Sequence, residues 1–173
     1  MMESARLRGK TGGGSPGRFG LASGVHRLMV RRVVWRRGSR VRKPPVGLAR
    51  GMPFESQVAR SDAVYYPLYA KCVELDLPLS INTGLPGPPV PGQCQDPLHL
   101  DKVCFRFPDL KLGMAHGADP WSALAIRLML KYANLHMITS AWSPKRLPPE
   151  LLHFMRTRGQ NKVIWASDHP ALT

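Results

Sequence analysis

Apolar positions along residues 61–172 switch repeatedly between helical and strand-like patterns. In "YYPLYAKCVEL" the residues Tyr65, Leu68, Tyr69 and Cys72 recur at i, i+3, i+4 and i+7, which marks one buried helix face. A short apolar run follows Pro78 in "LPLSIN" and predicts a strand. "HLDKVCFRF" repeats the helical face with Leu100, Val103, Cys104 and Phe107, and Pro108 closes it. "LKLGMAH" predicts the second strand. "WSALAIRLMLKY" predicts a third helix, with Ala125, Leu128, Met129 and Tyr132 on its face. "LHMITS" is the third strand. "PPELLHFMRTRG" is a fourth helix, with prolines in its first turn and Gly159 past its last. "KVIWAS" completes the series, and "GLARGMPF" upstream predicts one more strand with its exit loop.

This alternation with short connections requires a parallel sheet crossed by helices, an α/β fold. The strands read as continuous apolar runs, the pattern of strands covered on both faces. Ile126 and Leu130, on the far side of the third helix, are candidates for exposed apolar surface.

In parallel α/β folds the chemistry gathers at the carboxyl ends of the strands. Those ends read "INTG" (Asn82, Thr83, Gly84), "AHGADPW" (His116, Gly117, Asp119), "TSAW" (Thr139, Ser140) and "SDHP" (Ser167, Asp168, His169). Singly, each has an ordinary explanation. Asn82, Ser140 and Ser167 suit turns or helix caps, His116 suits a hydrogen-bonded structural histidine, and Asp168 suits an Asx turn. Together they would lie on one rim. Trp121 and Trp142, just past strand ends, either line a pocket there or pack the rim.

Charge changes the picture for the N-terminal part only. Of 25 Lys and Arg, residues 1–54 hold 13 against the single acid Glu3, while the rest is nearly balanced. Residues 1–46 therefore read as a basic, low-complexity extension, either disordered or not authentic coding sequence. The functional alternatives are a targeting peptide, or an arm that binds nucleic acid or an anionic surface on a non-catalytic, degenerate scaffold. Residues 47–173 read as the folded unit, in which nucleic-acid binding is not expected. Three cysteines without CxxC spacing suggest neither a disulfide framework nor a zinc knuckle, and point to a reducing, cytoplasmic setting. No apolar run reaches the roughly 18 residues that span a bilayer.

The words "FRFPDLKLGMAHGADPW", "KYANLHMITSAWSP" and "NKVIWASDHP", in this order after "LPLSINTG", resemble the amidohydrolase-related family, metal-dependent hydrolases and decarboxylases with a TIM-barrel fold. The resemblance implies a partial (β/α)8 TIM barrel of about four to five C-terminal βα units. It implies that Asp168 is a metal ligand and acid/base, and that His116 is a catalytic or second-metal histidine. The ion would be divalent, zinc or manganese, and the reaction hydrolysis or decarboxylation of a small-molecule substrate. Asn82 stands where the family places a histidine ligand, and the family's His-x-His pair on the first barrel strand is absent. Asn82, Ser140, Trp121 and Trp142 become candidate substrate-rim residues. A half barrel with open edges further predicts association between copies.

Overall fold

The computed structural model describes residues 21–24 and 46–168. The rest of the basic extension and His169 lie outside the described residues. The sheet has six strands: β1 (Leu21–Gly24), β2 (Val46–Gly51), β3 (Leu79–Asn82), β4 (Leu112–Ala115), β5 (Leu135–Ile138) and β6 (Val163–Ile164). Every neighbouring pair is parallel, and the spatial order is the sequence order. A doubly wound sheet would reverse its order at a switch point, whereas a barrel adds each strand beside the last. The arrangement is part of a TIM barrel.

Four helices make the crossovers: α1 (Tyr66–Glu74), α2 (His99–Arg106), α3 (Ser122–Lys131) and α4 (Pro149–Arg156). The first three bury most of the face that their sequence spacing predicts, while Phe107 and Tyr132 fall just past α2 and α3 and are half-buried. Leu68, Tyr69 and Cys72 are buried on α1, Leu100, Val103 and Cys104 on α2, Ala125, Leu128 and Met129 on α3, and Leu151 and Phe154 on α4. Tyr65 is fully buried too, but in a 3-10 turn ahead of α1. Val46–Gly51 realises the strand expected in "GLARGMPF". Its partner β1 falls within the segment set apart as an extension, so the sheet takes in Leu21–Gly24 and Val46 of that segment.

Strand register divides the sheet into two faces. Leu79, Leu112 and Leu135 pair across β3, β4 and β5 and join the core beneath the helices, as do Ile81, Met114 and Met137. Burying each of these side chains contributes about 1.5–3 kcal/mol. Alternate residues point the other way, so Arg50, Ser80, Gly113 and His136 line the opposite face in register. That face is polar.

Two expectations need correction. "KVIWAS" forms a strand only at Val163–Ile164, and Ile164 and Trp165 are exposed. Its apolar run reads as that of a strand covered on both faces. In the structure β6 is an edge, with no strand beyond it among the described residues. Ile126 packs against the core at partial burial, while Leu130 is exposed as expected. The two share a side of α3 as i and i+4, and only Ile126 is packed against the core.

Candidate functional site

Residues at the carboxyl ends of β3, β4 and β6 meet one guanidinium carried by β2, and Ser140 after β5 joins through His116. Arg50, on β2, donates from Nε to Asn82 Oδ1 at 3.3 Å and from Nη2 to His116 Nε2 at 2.7 Å. Its Nη1 lies 3.7 Å from Asp168 Oδ1. Three of the residues singled out from sequence are thus brought together, by a fourth that charge counting had assigned to the basic segment.

The contacts fix the state of His116. A guanidinium only donates, so Nε2 must accept and carries no proton. The proton then sits on Nδ1, which lies 3.1 Å from the Ser140 carbonyl, a pure acceptor. Ser140 Oγ is also 3.1 Å from Nδ1. The two sides of the ring agree on one neutral tautomer. Burial lowers the basicity of the imidazole below its usual range, and Arg50 adds to this. The Ser140 carbonyl, the next cause after burial and larger than Arg50, pulls the other way, and Asp168 does so least.

The backbone holds the ring in place at a cost. His116, Gly117 and Ala118 all have positive φ, at 70°, 72° and 60°. For the two non-glycine residues this left-handed conformation costs on the order of 1 kcal/mol each. Trp142 secures the turn by donating from Nε1 to the His116 carbonyl at 2.8 Å. Of its two readings, packing of the rim is the one this contact supports. Trp121 stands at the start of α3, half-buried, and its backbone N–H donates to the Ala118 carbonyl. Asp168 also has a positive φ, 63°, at the end of the last described segment.

The neighbouring rim loop depends on Gly84. Its φ is +94°, and a Cβ there would stand 2.7 Å from the Asp119 carbonyl oxygen. This close approach lets Leu85 N donate to Asp119 O at 2.8 Å, while Gln95 Nε2 donates to Gly84 O at 2.6 Å. Thr83 hydrogen-bonds the Ala115 carbonyl with both its N–H and its hydroxyl.

These residues do not by themselves fit a metal ion. Among the described residues no group of three or more His, Cys, Asp or Glu could hold one. Arg50 already occupies the His116 lone pair and faces Asp168, so an organic cation stands between the two expected ligands. Thiol chemistry finds no support either. Burial pushes Cys72 up to about 11 and Cys104 up to about 12, and raises Cys94. Such thiols are poor nucleophiles at neutral pH. No helix among the described residues is long and apolar enough to cross a membrane.

The state of His116 has a consequence for stability. Its folded basicity is depressed, so between its unfolded value of about 6.5 and its lower folded value the unfolded chain binds more protons. Stability therefore falls as the pH drops from about 6.5, until the folded ring protonates. His136 acts in the same direction through burial and Lys162. Thermal melts on the acid side of about pH 6.5 should show this loss, and His116→Asn should make its slope shallower. An unchanged slope in that variant would count against the buried neutral ring.

A parallel barrel segment with ionisable groups at its carboxyl-end rim defines the class, a TIM-barrel protein of the kind that does its chemistry at strand ends. The sequence model of the amidohydrolase family matches residues 24–173. The chain belongs to that family. Among solved structures it is similar to an uncharacterised TIM-barrel protein from Bordetella bronchiseptica, with 20% identity, TM-score 0.70, and coverage of 90% of this chain and 56% of that one. It is also similar to 5-carboxyvanillate decarboxylase from Novosphingobium aromaticivorans, complexed with manganese and 4-hydroxy-3-methoxy-5-nitrobenzoic acid. That match has 15% identity, TM-score 0.60, and coverage of 84% and 53%. A 2,6-dihydroxybenzoate decarboxylase from Rhizobium matches at 15% identity and TM-score 0.52, covering 73% and 52%. The chain thus spans about half the length of these structures. A sequence comparison with curated proteins gives no match.

Proposed function

We infer that this rim binds the carboxylate of a small organic acid and serves its hydrolysis or decarboxylation. The contact of Arg50 with Asn82, His116 and Asp168 carries this reading. A guanidinium at a barrel mouth presents paired N–H groups that match a carboxylate. An arriving carboxylate competes for the Nη2 hydrogen that His116 Nε2 now accepts. Its binding frees that lone pair, and His116 becomes a general base beside the bound anion. Asp168 balances the guanidinium and positions it. Two decarboxylases of aromatic acids share the fold, which supports a hydroxybenzoate-type acid as the first substrate class to test.

Zinc or manganese, the ions the family resemblance implies, would need donors from beyond the described residues. The chemistry proposed for these residues is therefore anion binding and proton transfer. A panel of hydroxybenzoates and their esters, followed by CO2 release and by hydrolysis, tests the reading. Turnover that falls about 100-fold or more in His116→Asn is expected. Turnover indifferent to that change, or none across the panel, would reject it.

A further inference from the structure

At the amino end of the sheet, opposite the rim, one lysine gives its whole donor set to the backbone. Lys162 Nζ donates to the carbonyls of Ala133 at 2.7 Å, Tyr132 at 3.0 Å and Leu135 at 3.2 Å. An ammonium carries three N–H groups, and these three oxygens take them all. The oxygens belong to one turn, which runs from Tyr132, the cap of α3, to Leu135, the first residue of β5. The carboxyl end of a helix carries unpaired carbonyls and partial negative charge, which suits a cation. Burial costs the ammonium part of its hydration and lowers the basicity of Lys162. The carbonyls replace the water that is lost.

The edge strand β6 has little else to hold it. It is two residues long; Val163 packs against the core, whereas Ile164 and the following Trp165 are exposed. Met137 N donates to the Lys162 carbonyl at 2.9 Å, and Thr139 N donates to the Ile164 carbonyl at 3.0 Å. Lys162 thus holds the turn before β5 with its side chain and β5 itself with its backbone. Asp168, which faces Arg50, stands further along the same segment.

We propose that the Tyr132, Ala133 and Leu135 carbonyls form a primary-ammonium site, that the chain fills it with its own Lys162, and that the filled site is the latch holding β6 on β5. Its ligand separates it from the rim, since carbonyls take a cation and Arg50 takes an anion. Neither acid binding nor turnover enters into it.

Amide hydrogen exchange of the whole chain reads the latch. In Lys162→Met, which keeps the apolar stem, the Met137 and Thr139 amides should exchange roughly 10-fold to 100-fold faster, because hydrogen bonds from a charged donor are lost. The Ala49 and Leu79 amides, which bond to the Pro78 and Lys111 carbonyls away from β6, should change little. Lys162→Ala removes the stem as well, and n-propylammonium, which supplies both the stem and the amine, should restore part of the lost protection. Tetramethylammonium at the same concentration carries the charge without an N–H and should restore none. Unchanged protection of Met137 and Thr139 in Lys162→Met would overturn the latch. Exchange that quickens equally at Ala49 and Leu79 would do the same, since it marks a general loss of stability. Rescue of Lys162→Ala by both salts alike, or by neither, would overturn the ammonium site.

Discussion

Arg50→Met is expected to weaken binding of benzoate at the rim by roughly 100-fold, with little change in fold. The guanidinium donates to two side chains and stands 3.7 Å from a third. Hydrogen bonds to charged groups contribute about 1.5–3 kcal/mol, so the loss of this guanidinium at the rim accounts for that factor. Methionine keeps the apolar length of the side chain, and Arg50 is part-exposed, so the core beneath the helices is untouched. The same change removes one of the causes that hold His116 neutral, and the ring should titrate at a higher pH than in the wild type. Calorimetry with benzoate gives the affinity. Equal affinity in the variant would mean that the anion does not bind through Arg50.

Gly84→Ala should be the most damaging small substitution at the rim. The residue sits at φ +94°, where an alanine is strained, and the added methyl would meet the Asp119 backbone at 2.7 and 2.9 Å. Backbone cannot swing aside as a flexible side chain can. The loop after β3 would have to leave the loop after β4, breaking the Leu85–Asp119 hydrogen bond and loosening Gln95 from the Gly84 carbonyl. A cost of about 3 kcal/mol, or roughly 10 °C in Tm, is expected. Differential scanning calorimetry measures it. A loss of less than about 1 kcal/mol would show that the two loops are not locked together.

Three helices were legible because their buried faces recur at helical spacing, and α1 to α3 bury Leu68, Leu100 and Leu128 as that spacing requires, while α4 was legible from its first-turn prolines and Gly159. The strands were legible as short apolar runs, but their order was not. Alternating helices and strands are equally consistent with a doubly wound sheet, and only the family resemblance pointed to a barrel before pairing between strands settled it. Length misled at β6, where an apolar run reads the same whether a neighbour covers it or not.

At the site, Asn82, His116, Ser140 and Asp168 could be read as polar stops on apolar strands. Arg50 could not be found in that way, because it sits among other arginines and its charge was absorbed into the basic segment. The signal lay in "GLARGMPF", where a single charged residue interrupts a strand at its carboxyl end. Lys162 left no signal. It ends a polar loop, and only the fold reveals the carbonyls around it.

The central claim is that Arg50 occupies the lone pair of His116 at a rim shared by five strand ends. The ring-nitrogen chemical shifts of His116 in 15N-histidine-labelled chain, assigned by their loss in His116→Asn, test it most directly. The expected result at neutral pH is a protonated Nδ1 and a bare Nε2 that shifts on adding benzoate and on Arg50→Met. A ring carrying its proton on Nε2, or one blind to both changes, would contradict it.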